Sequence, residues 1–173
     1  MIVLETERLT LRWFDVTDAP FILKLLNDPA WIQFIGDKGI RNLEDARDYI
    51  LNGPVAMYHN LGFGLYLVER KEDLMPLGMC GLIKRDSLED VDIGFAFLEK
   101  FRSKGYAYES ASAVMDYGEK TLGLNRIVAI TSIDNDNSAK LLEKVGLRFE
   151  KLLPYSEDED VKLFGYNAPS SSQ

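Results

Sequence analysis

The spacing of apolar residues changes several times along the chain, and each change predicts an element. From Leu4 to Arg12, Leu4-Glu5-Thr6-Glu7-Arg8-Leu9-Thr10-Leu11-Arg12 alternates polar and apolar with the period of a half-buried strand. The period then lengthens. Phe21, Ile22, Leu25 and Leu26 share one helical face, with Asp18 as cap, Pro20 near the first helical position and Asn27-Asp28-Pro29 as the stop. A second helix is predicted over 42–52, burying Leu43, Ala46, Tyr49 and Ile50 and stopped by Gly53-Pro54. Between the two helices, Trp31-Ile32-Gln33-Phe34-Ile35-Gly36 is unusually apolar for a connection. Its Trp31 and Phe34 either line a substrate groove or bury against the core.

The middle of the chain reads as a meander. Residues 62–69 and 76–84 form two antiparallel strands around the charged turn 70–73, and a third strand starts at Asp92. Ala107, Ala111, Val114, Met115, Gly118 and Leu122 then recur at helical spacing, and Arg126 to Thr131 is a β-branched run suited to a strand buried on both faces. Asp134 to Ser138 is a capping cluster before a short helix, Ala139 to Val145, stopped by Gly146. Residues 147–152 and 161–166 make a last strand pair around an acidic loop, and 167–173 is expected to fray. Strand-helix units following a meander predict a mixed α/β fold with a parallel pairing added to an antiparallel sheet. No repeat or linker divides residues 1–173, so one domain is expected.

Composition narrows the function classes. With 46% hydrophobic residues the chain can build a core, and it carries neither a signal segment nor an apolar run of membrane-spanning length, so a cytoplasmic protein with no membrane partner is expected. The net charge of −8 argues against nucleic acid as the main partner. Acidic residues concentrate at 86–92 and 157–160; such runs are either solvated loops or attract a cationic partner. Cys80 lies in an apolar run and reads as a buried structural thiol, and His59 has no role assigned. Without His or Cys clusters no metal site is indicated, and neither a dinucleotide fingerprint, a Walker lysine motif nor a calcium loop is complete.

The chemistry centres on Asp92 to Glu109. An aromatic-rich strand, Ile93-Gly94-Phe95-Ala96-Phe97, gives way to Arg102-Ser103-Lys104-Gly105-Tyr106-Ala107, small and cationic, and then to a helix. The first turn of a helix has unpartnered N–H groups and partial positive charge, which a phosphate satisfies. Gly105 allows close approach or a positive φ, Arg102 and Lys104 add full charges, Ala107 keeps the entry uncluttered, and Glu109 sits where the dipole favours a carboxylate. An ordinary strand-to-helix turn with solvated basic residues is the alternative.

Arg102-Ser103-Lys104-Gly105-Tyr106-Ala107 resembles the R/Q-x-x-G-x-G/A pyrophosphate signature of the GNAT superfamily of N-acetyltransferases. Asn135 to Leu147 is similar to the N-x-x-S…L-x-K-x-G-F segment of the ribosomal-protein alanine N-acetyltransferase branch, and Leu4 to Arg12 resembles that branch's opening. The resemblance implies a GNAT-like, mostly antiparallel twisted sheet of about seven strands, splayed in the middle and flanked by about four helices. It implies acetyl-CoA as cosubstrate, with main-chain groups at Phe97 and Leu98 pairing its pantetheine arm. The turn containing Ser103, Lys104, Gly105, Tyr106 and Ala107, with Arg102, would hold its pyrophosphate, and Asn135 would contact the arm unless it only caps a helix. Many members use a tyrosine on the short helix to protonate the departing thiolate; Leu142 stands there in this chain, which leaves Ser138, or water, as the acid. Asp92 is the first candidate for the base and Glu150 the second. The implied activity is acetyl transfer to a primary amine, either a protein N-terminus or a small cationic amine, and many relatives are homodimers. A non-catalytic sensor that binds acyl-CoA is the competing reading.

Overall fold

The computed structural model describes residues 1–169. Eight strands form one sheet: β1 (Ile2–Glu5), β2 (Leu9–Arg12), β3 (Leu65–Arg70), β4 (Pro76–Ile83), β5 (Asp92–Phe97), β6 (Arg126–Ser132), β7 (Arg148–Ser156) and β8 (Glu159–Asn167). Their order is β1-β2-β3-β4-β5-β6-β8-β7, and every neighbouring pair is antiparallel except β5/β6. The helices are α1 (Ala19–Leu26), α2 (Pro29–Phe34), α3 (Leu43–Ile50), α4 (Ala56–Leu61), α5 (Tyr106–Lys120) and α6 (Asp136–Lys144). This is the expected mixed α/β, mostly antiparallel architecture, with one strand more than anticipated. The opening alternation is broken by a turn in which Thr6 N–H donates to the Leu9 carbonyl at 2.9 Å and Leu9 N–H to Thr6 Oγ1 at 3.1 Å. One predicted strand thereby becomes the hairpin β1–β2.

Four other expectations shift for local reasons. Gly53-Pro54 does not stop the second helix; α3 continues through a π turn at Leu51–Val55 into α4, which ends at Gly62. The wider turn absorbs a proline that has no N–H to give, so the chain bends there and Pro54 is buried. Asp18 occupies the cap position of α1, but its carboxylate accepts from Arg12 and from the Asp15 N–H, each at 2.9 Å. At the C-terminal end, Asn167 still belongs to β8 and the Ala168 N–H bonds to the Asn125 carbonyl at 2.8 Å. Fraying therefore does not begin at 167, and residues 170–173 lie outside the described part. The acidic loop is only the tip of a hairpin, because Glu159 and Asp160 are already in β8.

What positions the site is the parallel seam. β5 and β6 share a single registered pair, Asp92 with Val128, beside which Val128 N–H donates to the Val91 carbonyl at 3.0 Å. On the other edge of β5, Leu98 N–H bonds to the Leu77 carbonyl at 3.0 Å. Alternation along an antiparallel ladder then turns the even-numbered residues of β5 toward β4, and the main chain of Ile93, Phe95 and Phe97 toward the gap. α5 packs over β2, β4 and β5, and α6 over β6 and β7. Gly118 lets α5 settle on the sheet, since a Cβ there would stand 2.9 Å from Ile127 Cδ1 and 3.0 Å from Leu82 Cδ1. The fully buried Leu82, Val114 and Ile127 of this layer stabilise the fold by about 1.5–3 kcal/mol each. Among the described residues, no helix is long and apolar enough to cross a membrane.

Candidate active site

The gap between β5 and β6 widens into a cleft of about 570 Å³. Asp92, Phe97, Arg102, Ser103, Gly105, Ala107, Asn135 and Ser138 all line it, although they come from four separate elements. Leu98, Lys104 and Tyr106 do not. Leu98 spends its N–H on Leu77 at the opposite edge of β5, so the free edge runs through Phe95 and Phe97 instead.

The turn before α5 is built to present main-chain donors. Gly105 has φ 84 and Ser103 has φ 62, the latter an uncommon conformation for a residue with a Cβ. Left-handed residues spaced this way turn successive N–H groups to one side, and no side chain caps α5. The turn rests on the β1–β2 hairpin. Glu109 Oε2 accepts from Thr6 Oγ1 at 2.5 Å and from Arg8 N–H at 2.9 Å, while Oε1 accepts from Arg8 Nε at 2.7 Å. Burial works to raise the Glu109 pKa, but these bonds hold it below the ordinary carboxylate value. Arg8 also donates to the Lys104 carbonyl at 3.1 Å and lies 4.4 Å over the Tyr106 ring. Tyr106 is thus buried support, and Lys104 contributes an exposed charge beside the turn.

Arg102 has a task the sequence did not announce. Its Nη2 donates to Asp28 Oδ2 at 2.6 Å and its Nε to the Phe97 carbonyl at 3.0 Å. The same Asp28 oxygen caps α2, accepting from Ala30 N–H at 3.1 Å and Trp31 N–H at 3.4 Å. One carboxylate therefore ties the anion turn to the helix that carries Trp31 and Phe34, both on the cleft wall. The apolar connection is that helix. Trp31 is 6% exposed, and its Nε1, like the hydroxyl of Ser132, is buried without a protein partner.

At the second anchor, α6 begins three residues earlier than the sequence pattern predicts, which makes Asn135 its cap and places Ser138 in its first turn. Asn135 Oδ1 accepts from Ser138 N–H at 3.2 Å, leaving the Asn135 amide nitrogen and the Ser138 hydroxyl unpaired among the described residues. Leu142 is buried in the wall where a tyrosine was sought.

Asp92 is the one fully buried carboxylate in the cleft, 1% exposed. Burial pushes its pKa up to about 6, against the pull of Arg85, whose Nε lies 3.2 Å from both carboxylate oxygens. Glu150 is not brought to the cleft. It lies on β7 and bonds Arg126 at 2.6 and 2.9 Å, which holds its pKa low. His59 stands edge-on to Trp13 at 5.7 Å, and burial pushes the Cys80 thiol up to about 12. Asp28 and Arg85 are cleft residues that sequence reasoning left without a site role, whereas Trp31 is read there as part of a groove or of the core. Only the apolar character of 31–36 marked any of them. Among the described residues, no group of three or more His, Cys, Asp or Glu is placed to hold a metal ion.

The charges lining the cleft are Arg85, Arg102, Lys140 and Lys144 against Asp28 and Asp92, a cationic excess in a chain of net charge −8. With the donor turn at one end, that balance fits a polyphosphate cosubstrate.

Residues 8–148 match the acetyltransferase (GNAT) domain. The uncharacterized N-acetyltransferase p20 of Bacillus licheniformis is 30% identical over 155 residues, 88% of this chain and 86% of its own. An acetyltransferase from Agrobacterium tumefaciens superposes with a TM-score of 0.81 at 28% identity, covering 95% of this chain and 94% of its own. The ribosomal α-N-protein acetyltransferase RimL, solved in complex with coenzyme A, shares the fold with a TM-score of 0.82 at 19% identity, covering 96% of this chain and 98% of its own. The matched span contains the splay, the anion turn and the Asn135 anchor, and the chain belongs to the GNAT acetyltransferase family as an acetyl-CoA-dependent N-acetyltransferase.

Proposed function

We propose that this chain transfers acetyl directly to the α-amine of a protein or peptide N-terminus, with Asp92 as base and Ser138 as acid. The observation that carries this reading is the buried Asp92 carboxylate at the root of the splay, in the same cleft as the anion turn. When bound, acetyl-CoA supplies an activated acyl carbon and a thiolate leaving group. The chain's residues supply the proton traffic. An ammonium is not a nucleophile, so Asp92, ionised above its pKa of about 6, removes a proton and frees the lone pair. As the C–N bond forms and the C–S bond breaks, the Ser138 hydroxyl, unpaired at the start of α6, would give its proton to the sulfur and take up the second proton that the nitrogen loses in becoming an amide. The donor turn at Ser103 and Gly105, with the Phe95 main chain and the Phe97 N–H on the open edge of β5, would orient the thioester.

For the acceptor, an N-terminal amine is favoured over a polycation. The cleft carries an excess of cationic side chains, and the acidic residues 157–160 are outside it. RimL, which shares the fold at 19% identity, is a ribosomal α-N-protein acetyltransferase. A steady-state assay of thiol release with an alanine-led peptide and with spermidine tests the reading. We expect turnover with the peptide and a loss of roughly 100-fold or more in kcat for Asp92→Asn, at unchanged acetyl-CoA affinity. Binding without turnover for every acceptor would return the chain to the role of an acyl-CoA sensor.

A further inference from the structure

Arg85 lies two residues beyond the end of β4, and its carbonyl is held by two donors, Lys84 Nζ and the Leu88 N–H at 3.3 Å. Lys84 Nζ donates to the Arg85 carbonyl at 2.7 Å and to the Leu88 carbonyl at 2.5 Å. Its guanidinium is used unlike any other in the molecule. Among the described residues, every other arginine that makes a side-chain hydrogen bond commits at least one Nη to it. Arg85 commits only Nε, to both oxygens of Asp92. Both Nη groups are left over, on a side chain that is 33% exposed and lines the same cleft as Trp31, Phe34 and Leu65.

Those walls decide what the spare donors mean. An acceptor that fills the space between Trp31, Phe34, Leu65 and Ile83 strips water from the guanidinium. If it offers no oxygen, charged donors are left desolvated and unpaired, which a binding site penalises heavily. The planar fork also holds the Nη groups adjacent to the carboxylate that faces the amine. The partner oxygen must therefore sit close to the reacting nitrogen, as the acyl oxygen of an α-amino acyl group does. We propose that Arg85 is the specificity-determining residue of the acceptor half: its Nη groups hold the acyl oxygen of an α-amino acyl acceptor whose side chain is apolar, while Asp92 holds the α-amine. This rests on the N-acetyltransferase reading of the same cleft. It confines that reading to apolar first residues and extends it to a free amino acid, whose carboxylate offers the same oxygen as the first carbonyl of a peptide.

The test is thiol release by the purified full chain, at saturating acetyl-CoA, with L-leucine, L-leucinamide, a leucine-led tripeptide amide, 3-methylbutylamine and spermidine. The alkylamine is leucine without its acyl group. We expect kcat/KM for leucinamide or the tripeptide to exceed that for 3-methylbutylamine by roughly 100-fold. Arg85→Lys, which keeps a charge beside Asp92 and loses the fork, compresses that ratio toward one, with coenzyme A-induced thermal stabilisation reporting that the variant is folded. Leucine above leucinamide identifies a free amino acid as the source of the oxygen; the reverse identifies a peptide end, and both support the proposal. Equal use of 3-methylbutylamine, preference for spermidine, or a ratio unmoved by Arg85→Lys would overturn it while leaving the enzyme intact. Thiol release with none of the probes would instead overturn the N-acetyltransferase reading on which it rests.

Discussion

In the half of the cleft proposed for the cofactor the lining comes from one continuous turn, with Arg102, Ser103, Gly105 and Ala107, whereas in the half proposed for the acceptor it comes from side chains of remote segments, Asp28 to Phe34, Arg85 and Asp92. The two halves are specified differently. Main-chain donors are aimed by φ, so the segment needs a residue free to take φ 84 at Gly105 and a small one at Ala107, in fixed order. Side chains from remote elements can be aimed by many combinations of spacing and rotamer. The first half is rigid in sequence and general in ligand; the second is where relatives can diverge in acceptor.

Gly105→Glu should break the comparison most completely. The new residue would stand at φ 84, its Cβ 3.2 Å from Arg8 Nη2, and its carboxylate would enter the space where pyrophosphate oxygens belong. Coenzyme A binding measured by calorimetry is expected to weaken on the order of 1000-fold or more. Since the acceptor half does not include Gly105, Trp31 fluorescence should keep its buried emission. A variant that still bound coenzyme A normally would remove the anion turn from the site.

Asp92→Asn tests the other half. Acetyl transfer should fall roughly 100- to 1000-fold while coenzyme A affinity stays within about twofold. The wild-type rate constant kcat/KM should fall about tenfold per unit below pH 6, following the pKa of about 6. Removing the Arg85 charge takes away a force that lowers that pKa, so Arg85→Gln moves this acid limb to higher pH. Stability carries the same signature with a definite sign. The folded state holds the Asp92 proton up to about pH 6 and the unfolded chain only to 3.8, so this group's contribution is fully present below pH 3.8 and is lost as the pH rises through 6. Asparagine never ionises. Urea unfolding should therefore find the variant gaining roughly 2–3 kcal/mol on the wild type between pH 3.5 and pH 7.5, the mark of a buried carboxylate held against the interest of the fold.

How far the sequence could be read follows from the same division. The meander, the buried β6 and the helix over 106–120 were legible because apolar period alone decides them. Arg102 to Ala107 and Asn135 to Ser138 were legible because main-chain devices leave ordered signatures. The break at Thr6 was not, since alternation continues through a turn that the Thr6–Leu9 bonds close and the long-range tether to Glu109 holds. Nor was the run-on from α3 to α4, where a proline that ordinarily ends a helix is absorbed by a π turn. Arg85 and Asp28 were invisible for a deeper reason. Each is an ordinary charged residue beside a turn, and its meaning lies in a partner, Asp92 or Arg102, that only the fold brings near.

The strut between the halves gives a smaller effect. Asp28→Ser keeps an oxygen that can cap α2 and removes the reach to Arg102. The acceptor KM should rise about fivefold, as α2 loses its tie to the anion turn, with coenzyme A affinity within about twofold. Stability should drop by about 1–2 kcal/mol in thermal unfolding. An equal rise in the KM for acetyl-CoA would mean that Arg102 serves the phosphate and not the helix.

Glu150→Gln should do least, and that is its value. Glu150 shares with Asp92 the credentials of a carboxylate near a strand end in the signature region, but the fold turns it to Arg126, in a pair whose side chains are 31% and 27% exposed. A pair that open contributes at most about 1 kcal/mol, and its loss leaves Arg126 bonded to Asp90 at 3.1 Å. The variant should keep kcat/KM within about twofold at every pH, with the acid limb unmoved. A displaced limb, or a rate loss approaching that of Asp92→Asn, would show that the proton leaves by way of β7 and would dissolve the assignment of the base to the splay.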